Sequence, residues 1–401
     1  MTRPLSGIRV LEVGQYIAAP YCAMTLADQG AEVIKVERSG TGDPRRHYDP
    51  LYEKDGRSMS GGFIGYNRNK QSVSINLATP EGVELFRLLS DTADVIVENL
   101  HPGAMAKYGI AYDDLKTTNP GLIYCAISGF GRLAGHEGPY SGQRAFDATV
   151  QAMSGFASVV GQPGGEPTLG SAAMADIYTG LAGATAIGFA LVGRATTGHG
   201  TFIDQAMYDT MVSLVERPLL LHALTGYVPK PGVDLYSPLG IIGAKDGSIT
   251  LVLPTELMWQ RFCNALGRDD LVADPRLSTT LQRAERFHDL IKPEAEKWTL
   301  LRTRDELIAE FDAVGLPVGS IQTIDEVFGA EHVQSRRIRF DIEDPSIGTV
   351  PSVRTPMLYS DYDLPAREAP PTLGQHNREI YGDGLGLSAD ELERLEAAGV
   401  I

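Results

Sequence analysis

The 401-residue sequence predicts an α/β fold with a doubly wound parallel sheet and a second, smaller α+β domain. Three observations predict it. Short runs of β-branched and apolar residues alternate with segments of helical period through the first 200 residues. Glycines stand where these segments end. After residue 225 the composition changes, first to a Pro- and Gly-rich stretch and then to charged helical segments.

The first three elements predict a βαβ unit. Residues 8–13 form a strand that Gly14 ends. A helix follows over residues 18–29, with Gly30 as its stop, and Glu32–Glu37 is the second strand. A strand, a helix and a strand within about 30 residues require parallel pairing and a right-handed crossover. We therefore expect a Rossmann-like arrangement.

The same alternation continues along the chain, and its segments have the length and polarity of single elements. The further elements that we expect are strand Ser72–Asn76, helix Pro80–Asp91, strand Val95–Glu98, a helix near Gly103–Tyr108, strand Leu122–Ser128, an Ala- and Gly-rich helix Ala172–Arg194, strand Thr201–Asp204, helix Met207–Leu224, strand Gly247–Leu253 and a last helix Ala389–Ala398.

The composition change sets the expected domain boundaries. Residues 1–225 are assigned to a large domain and residues 226–330 to a small one, entered through a loop over Gly226–Gly243. Residues 331–401 are expected to be a linker and a C-terminal part that returns to the large domain. Within them, residues 345–375 carry prolines and are expected to be irregular.

The charge balance opposes two classes of partner. Lys and Arg number 35 against 51 Asp and Glu, which leaves a net charge of −16. General binding to nucleic acid or to an anionic membrane needs a basic surface, so we expect neither partner. No uninterrupted apolar run reaches the ~18–20 residues of a membrane span, the closest being Leu181–Val192.

Cysteine and histidine usage points away from disulfides and metals. The three cysteines, Cys22, Cys125 and Cys263, lie far apart in the sequence, so neither a disulfide framework nor a zinc ribbon is expected. The N-terminus has no apolar signal-peptide core. No two histidines have the spacing of a metal-binding helix. We expect a cytoplasmic protein without a metal site.

The first βα turn lacks the common nucleotide signatures. Residues 14–20 do not read Gly-x-Gly-x-x-Gly, and the chain has no P-loop and no Gly-x-Ser-x-Gly elbow. These absences disfavour dehydrogenase, NTPase and standard serine-hydrolase functions. The turn still follows the carboxyl end of a strand, where folds of this class bind ligands.

Asp176 is the most informative single residue. It stands in the otherwise uncharged stretch Ser171–Gly180, near the start of a helix, and Gly180, Gly183 and Ala184 share its face. A carboxylate beside bare backbone is open to close approach, and the positive helix end would keep it ionised and nucleophilic. The alternative is an acid placed for the helix dipole, with the small residues serving tight helix packing.

Other polar residues have two interpretations. Arg38 directly follows the second predicted strand, Asn99 and Lys107 lie around residues 101–103, and Arg144 is a further candidate, because cationic groups at strand ends can bind phosphates. Each alone is also typical of a solvated surface. Asp147 is close enough in sequence to Arg144 to form a simple ion pair with it.

Nine segments carry recognisable sequence in order along nearly the whole chain: residues 4–12, 28–37, 40–43, 69–72, 98–103, 128–131, 175–180, 198–204 and 373–376. Taken together, they resemble the class III CoA-transferases, the group that includes formyl-CoA transferase, carnitine CoA-transferase and the α-methylacyl-CoA racemases.

The resemblance implies roles for individual residues. Asp176 matches the catalytic aspartate, with Asp147 as possible support for the substrate or for acid–base chemistry. The residues that match CoA contacts are Gln15, Tyr16, Ala18, Arg38, Leu77, Asn99, Leu100, Ala104, Lys107, Tyr108, Arg144 and Met207. Ile17 replaces a Gln of formyl-CoA transferase, and Tyr236–Ile241 stands in place of its Gly-rich flap. Both departures argue against formyl or oxalate substrates.

The resemblance also implies the reaction and the assembly. The expected enzyme transfers CoA from an acyl-CoA to a carboxylic acid through an anhydride and an aspartyl-CoA thioester, as an interlocked homodimer. CoA and acyl-CoA are substrates, and no resident cofactor is expected. Succinyl-CoA as donor and a small dicarboxylate as acceptor follow from the family alone. Arg45, Arg46, Arg336 and Arg337 are candidates for a second carboxylate.

Two alternatives stay open. The racemases of this group use a His and an Asp, and the His position is Phe146 here, which cannot exchange a proton. Asp147 follows at a backbone position expected to point elsewhere, so transfer is favoured over racemisation or isomerisation. The second alternative is a non-catalytic subunit of a heteromeric CoA-transferase. A nicotinamide oxidoreductase is disfavoured by the missing glycine motif.

Overall fold

A computed structural model describes residues 3–54, 57–170, 173–233, 236–344, 347–363 and 368–401. It has two compact units. The large unit comprises Met1–Ser154, Gly170–Leu214 and Glu331–Ile401, and the small unit comprises Gly155–Leu169 and Val215–Ala330. The small unit therefore begins before residue 226, where the composition changes, and it includes a segment that the sequence analysis assigned to the large domain.

The strands are numbered in chain order within the described residues. They are β1 (Arg9–Val13), β2 (Glu32–Arg38), β3 (Leu51–Lys54), β4 (Arg57–Ser60), β5 (Gln71–Ile75), β6 (Val95–Glu98), β7 (Ile123–Ser128), β8 (Phe202–Ala206), β9 (Leu239–Ala244), β10 (Gly247–Val252), β11 (Gly319–Ser320), β12 (Arg339–Asp344) and β13 (Gly348–Val353).

The α-helices are numbered in the same way. They are α1 (Ala18–Asp28), α2 (Gly61–Asn67), α3 (Pro80–Asp91), α4 (Ala104–Lys107), α5 (Tyr112–Leu115), α6 (Asp147–Met153), α7 (Phe156–Val159), α8 (Met174–Thr197), α9 (Met207–Leu214), α10 (Glu216–Thr225), α11 (Glu256–Ala265), α12 (Asp269–Val272), α13 (Thr280–Glu285), α14 (Lys292–Thr299), α15 (Arg304–Ala313), α16 (Ile324–Gly329), α17 (Glu331–Ser335) and α18 (Ala389–Ala397). Short 3₁₀ turns span Pro44–His47 and Pro275–Leu277, and π-helical turns span Phe287–Ile291 and Arg378–Gly384.

The large unit contains the parallel sheet that the sequence predicts. Its strand order is β5-β2-β1-β6-β7-β8, with every neighbouring pair parallel. The chain runs outward from β1 through β2 to β5 and then returns to the other side of β1 with β6. The order therefore reverses between β1 and β6, and the crevice at the carboxyl ends there is the usual ligand site of such sheets.

Both faces of this sheet are covered. Every residue of β7 is buried, as a strand between two helical layers requires. Helices α1 and α8 pack together beside the sheet. On the other face, Leu85, Phe86 and Leu89 of α3 join a core that also includes Tyr381 from the C-terminal segment. The Tyr381 hydroxyl donates to the Ser74 carbonyl over 3.0 Å.

The small unit is an α+β arrangement with its own core. Strands β9, β10 and β11 form an antiparallel sheet. Trp259, Phe262 and Phe311 are fully buried in one apolar cluster beside it. Such a cluster stabilises the unit through burial of large aromatic surfaces.

Three expectations about elements are wrong. The helix expected over Met207–Leu224 is two helices, because Pro218 lacks the N–H that would bond the residue 214 carbonyl. The loop expected up to Gly243 contains most of β9. The stretch 345–375, expected to be irregular, contains β13, which pairs with β12. Ala172, the expected start of the long helix, lies outside the described residues.

Helix α8 corrects another expectation. Among helices in the described ranges, it alone is long and apolar enough to cross a membrane by length and composition. The uninterrupted apolar run Leu181–Val192 is only the middle of this helix, and few charges interrupt the helix as a whole. Ala175, Thr179 and Gly183 are buried, and α8 contacts α1, β7 and β8. These contacts are those of a helix built into the large unit.

Candidate active site

A cavity of about 390 Å³ opens at the carboxyl ends of β1, β2, β5 and β6. It lies at the reversal of strand order, where the fold places ligands. Six residues expected to contact CoA line it: Gln15, Arg38, Leu77, Leu100, Ala104 and Tyr108. Arg38 is exposed at the end of β2, so its guanidinium is available to an anionic group.

Asn99, another expected CoA contact, forms two hydrogen bonds with the loop after β1. Its side-chain oxygen accepts from the Gln15 N–H and its amide donates to the Gln15 carbonyl, both over 2.8 Å. These two bonds fix the backbone of a cavity-lining residue. The structure thus gives Asn99 a positioning contact within the chain.

The remaining expected contacts lie outside the lining of this cavity. Lys107 is exposed, with its Nζ 5.7 Å from the ring centre of Tyr108. Arg144 is exposed before α6, while Met207 is buried at the start of α9. Ala18 is buried in the first turn of α1.

Tyr16 has a left-handed backbone, with φ of 64°, and the structure shows what holds it. Its N–H donates to Oδ1 of Asp43 over 3.2 Å. The other oxygen of Asp43 lies 3.0 Å from the Lys35 ammonium, which also lies 2.7 Å from Glu12. A non-glycine residue in this conformation needs such support from its surroundings.

This buried group of charges is a feature that sequence reasoning missed. Lys35, Lys70 and Glu12 are fully or almost fully buried, and Lys70 pairs with Glu12 over 2.6 Å. Burial alone would lower the pKa of Lys35, but the carboxylates of Glu12 and Asp43 outweigh it and raise that pKa. A charged residue in the middle of a predicted buried strand was the available signal.

Asp176 lies in the first turn of α8, and its backbone is held by Asp147. One oxygen of Asp147 accepts from the N–H of Ala175 over 2.6 Å and from the N–H of Asp176 over 3.3 Å. The other oxygen accepts from the Gln151 amide over 2.5 Å. The ion pair between Asp147 and Arg144 that the sequence offered as one interpretation is absent from the part of the chain that the structure describes, and the carboxylate of Asp147 bonds these backbone and amide N–H groups instead.

The ionisation of Asp176 also differs from expectation. Burial and, to a smaller extent, the charge of Asp147 raise the pKa of Asp176 to about 7, although the charge of Arg45 partly opposes them. The helix end was expected to keep the carboxylate ionised. Its first amides instead bond Asp147, and Asp176 itself is desolvated. The Asp176 carboxylate accepts no hydrogen bond and forms no ion pair among the described residues, and a carboxyl group with such a raised pKa is typical of functional sites.

The glycines on the Asp176 face serve packing. A Cβ on Gly180 would lie 2.6 Å from the Ala18 carbonyl oxygen, and one on Gly183 would lie 3.3 Å from Sγ of Cys22. Helix α1 therefore covers the strip of small residues that was expected to be open to close approach. For these residues the packing alternative is right.

Aromatic rings and one cation lie near Asp176. The Arg45 guanidinium is 5.3 Å from the ring centre of Tyr48 and 5.6 Å from that of Tyr66. Tyr16 contacts Tyr48 and Phe146 edge-on, at 6.3 and 6.0 Å between ring centres. The pKa of Tyr66 is raised, first by burial and also by the charge of Asp176.

The titratable group of this site with the most perturbed environment is the Asp176 carboxyl group. The described residues contain no group of three or more His, Cys, Asp or Glu that would hold a metal ion. The side chains near Asp176 are instead a second carboxylate, an arginine and tyrosines.

A model of CoA-transferase family III matches residues 5–377. This chain belongs to that family. It is therefore a transferase, and the resemblance found in the sequence is confirmed.

Individual relatives agree with the family match. The chain is 35% identical to succinate–glutarate CoA-transferase of Agrobacterium fabrum over 95% of both proteins. It is 34% identical to succinyl-CoA–D-citramalate CoA-transferase of Chloroflexus aurantiacus, over 100% of this chain and 98% of the relative. A crystal structure of a CaiB/BaiF family protein from Brucella suis superposes with a TM-score of 0.83 at 34% identity, covering 96% of this chain and 100% of that one.

Proposed function

We propose that this enzyme transfers CoA from an acyl-CoA thioester to a carboxylic acid through covalent intermediates on Asp176. The observation that carries the proposal is the environment of Asp176. This carboxylate is partly buried and has a pKa of about 7, and its backbone is fixed by Asp147. A carboxylate that water stabilises poorly is a better nucleophile toward a thioester.

The reaction balances without a cofactor. An oxygen of Asp176 attacks the thioester carbonyl, the C–S bond breaks, and a mixed anhydride and CoA thiolate result. The thiolate attacks the Asp176 carbonyl, which releases the donor acid and leaves an aspartyl-CoA thioester. The acceptor carboxylate attacks that thioester and frees the thiolate again. The thiolate then attacks the acceptor acyl carbon, which yields the new acyl-CoA and restores the Asp176 carboxylate.

Backbone amides at the start of α1 are the proposed oxyanion donors. The N–H groups of Gln15 and Tyr16 are already bonded to Asn99 and Asp43. Those of Ile17 and Ala18 have no acceptor among the described residues. Fixed donors at a helix N-terminus stabilise developing negative charge.

The cavity at the sheet edge is the proposed CoA nucleotide site. Arg38 would bind phosphate, and Leu77, Leu100 and Tyr108 offer apolar surface to the adenine. We propose Lys107, Arg144 and Met207 as further contacts along the same substrate, from the family resemblance alone.

We propose succinyl-CoA as donor and a small dicarboxylic acid as acceptor. The support is the activities for which the relatives are named, which combine succinate with glutarate and succinyl-CoA with D-citramalate. We also propose a homodimer in the cytoplasm. Phe189 and Val192 of α8 are 74% and 72% exposed, and a second copy would cover them. The cytoplasmic location is proposed because Cys22, Cys125 and Cys263 are free and buried, as is usual for thiols in a reducing compartment.

Trapping of the intermediate tests the mechanism. Borohydride added during turnover should reduce the aspartyl-CoA thioester and change the mass of the peptide that contains Asp176. Asp176→Ala should lose transfer and the mass change, whereas Asp113→Ala, which removes an exposed carboxylate of α5, should keep both. Turnover by Asp176→Ala near the wild-type rate would refute the covalent role.

The alternatives give different results in the same preparation. Phe146 is 64% exposed where the racemases carry a base, which argues against proton exchange at the α-carbon. Deuterium uptake at that carbon without CoA transfer would favour an isomerase. CoA binding without any turnover by the purified chain would favour a non-catalytic subunit.

A further inference from the structure

Two consecutive arginines in the 3₁₀ turn Pro44–His47 have different environments. Arg46 is fully used by the fold, because its guanidinium bonds both oxygens of Glu37 over 2.8 and 2.6 Å and the Pro371 carbonyl over 3.0 Å. Arg45 has no carboxylate partner within 4.0 Å among the described residues. Its side chain makes one long bond, from Nε to the Gly62 carbonyl over 3.3 Å.

The Arg45 guanidinium is nevertheless held in place. The rings of Tyr48 and Tyr66 lie 5.3 and 5.6 Å from it. Helix α2 approaches so closely that a Cβ on Gly62 would lie 2.7 Å from Nη2. A half-buried guanidinium kept between rings, with its paired N–H groups left to a ligand, has the geometry that binds a carboxylate through two parallel bonds.

Arg45 is also close to the nucleophile without neutralising it. Its charge acts on Asp176, yet no ion pair joins these two described residues. An arginine that is close to a nucleophilic carboxylate but not paired with it suits a substrate with a reactive group at one end and a negative charge at the other. Ring contacts run from Tyr48, which lies against Arg45, through Tyr16 to Phe146, the residue before Asp147.

We propose that Arg45 binds the distal carboxylate of the acid whose other carboxyl group reacts at Asp176, and so selects dicarboxylic over monocarboxylic substrates. The proposal rests on the proposed function, because it assumes that the acid reacts at Asp176. It assigns the substrate selection to a residue of the turn after β2.

The test compares glutarate with pentanoate as acceptors of CoA from succinyl-CoA. The two acids differ only in a distal carboxylate against a distal methyl group. In a ping-pong reaction kcat/KM for the acceptor does not depend on the donor. We expect wild type to prefer glutarate, and Arg45→Met to lower kcat/KM for glutarate roughly ten- to a hundredfold. The kcat/KM for pentanoate should change less than about threefold, because pentanoate has no distal carboxylate to accept hydrogen bonds from Arg45.

Two further variants complete the design. Arg45→Lys keeps the positive charge but cannot form two parallel hydrogen bonds to a carboxylate, so its preference for glutarate over pentanoate should lie between those of wild type and Arg45→Met. It replaces Arg45→Met if that variant does not fold. Arg9→Met is the matched control, because Arg9 lies at the amino end of β1, paired with Glu32, on the opposite edge of the sheet. It should keep the wild-type preference.

An equal loss for both acids in the Arg45 variants, or a wild type without preference for glutarate, would overturn the proposal while CoA transfer stands. If wild type transfers no CoA, the proposed function fails, and calorimetry decides the role of Arg45 separately. Glutarate should then bind to the CoA-saturated wild-type chain and bind at least tenfold more weakly to Arg45→Met. Unchanged or undetectable glutarate binding would overturn the proposal.

Discussion

Replacing Asp176 with Asn should stabilise the protein in a pH-dependent way. Burial and Asp147 raise the pKa of Asp176 from 3.8 to about 7 in the folded chain. The folded state therefore holds a proton that the unfolded state has released at pH 5 and 6. An acid with a raised folded-state pKa costs stability as pH rises from its unfolded pKa to its folded one, and Asn has no such cost.

The size of the effect follows from the two pKa values. Between pH 5 and the folded-state pKa of about 7, the unfolded chain is ionised at this residue and the folded chain is not. Each pH unit in that window is worth about 1.4 kcal/mol, so the advantage of Asp176→Asn should grow by ~2–3 kcal/mol between pH 5 and pH 8. Partial exposure of Asp176 screens the charge, so we expect ~1–3 kcal/mol.

Urea unfolding of both proteins at pH 5, 6, 7 and 8 measures the difference. The matched control is Asp113→Asn, which removes a carboxylate of α5 that is 84% exposed. Its difference from wild type should vary by less than about 0.5 kcal/mol across the series. A constant difference for Asp176→Asn, or a loss of stability that grows with pH, would show that ionised Asp176 is stabilised by partners. Asp176 would then not be a desolvated nucleophile.

Three further predictions concern contacts described above. Asp147→Asn removes a negative charge that raises the pKa of Asp176, so the acidic limb of the kcat/KM profile should move to lower pH. Gly180→Ala meets a backbone oxygen at 2.6 Å and should cost ~1–3 kcal/mol in urea unfolding, whereas Gly188→Ala on the same helix meets nothing within 4 Å and should be neutral or stabilising. Lys35→Met removes one of the two cations that pair with buried Glu12 and leaves buried Asp43 without an ion pair among the described residues, so it should cost about 3–5 kcal/mol, measured in the same way.

Each of these has a result that contradicts it. An unchanged acidic limb in Asp147→Asn would mean that the two carboxylates do not interact. Equal stability of the Gly180 and Gly188 variants would mean that α1 moves freely away from α8. Lys116→Met breaks an exposed ion pair of α5 and should lower the free energy of unfolding by no more than ~1 kcal/mol. An equally small loss for Lys35→Met would show that the buried ion pairs of Lys35 do not stabilise the fold.

The parallel sheet was predictable because its signal is local. Runs such as Val95–Glu98 and Ile123–Ser128 are short, apolar and bounded by turns, and they became buried central strands. β13 was missed because residues Gly348–Val353 include a proline and alternate only weakly. It is ordered by pairing with β12, which no local pattern reveals.

The site was predictable in its parts and less so in its arrangement. The position of Asp176 near a helix start followed from its uncharged neighbours. The placement of Asp147 on the amides of Ala175 and Asp176 joins residues 28 and 29 positions apart, so no spacing rule exposes it. The upward shift of the pKa of Asp176 depends on its burial, which cannot be read from the sequence. Arg45 and Arg46 could be told apart only once Glu37 was seen to bind one of them.

The close approach of Gly180 to the carbonyl of Ala18 packs two parts of the proposed catalytic apparatus directly against each other. Ala18 opens the helix that follows the loop over the cavity, and Gly180 stands about one turn beyond Asp176. The proposed amide donors of that loop and the carboxylate therefore keep their separation through the anhydride and thioester stages of the proposed mechanism. In that mechanism, four attacks on three carbonyl carbons proceed by exchanging small molecules in and out of a stationary frame, with no refolding of the loop between one stage and the next.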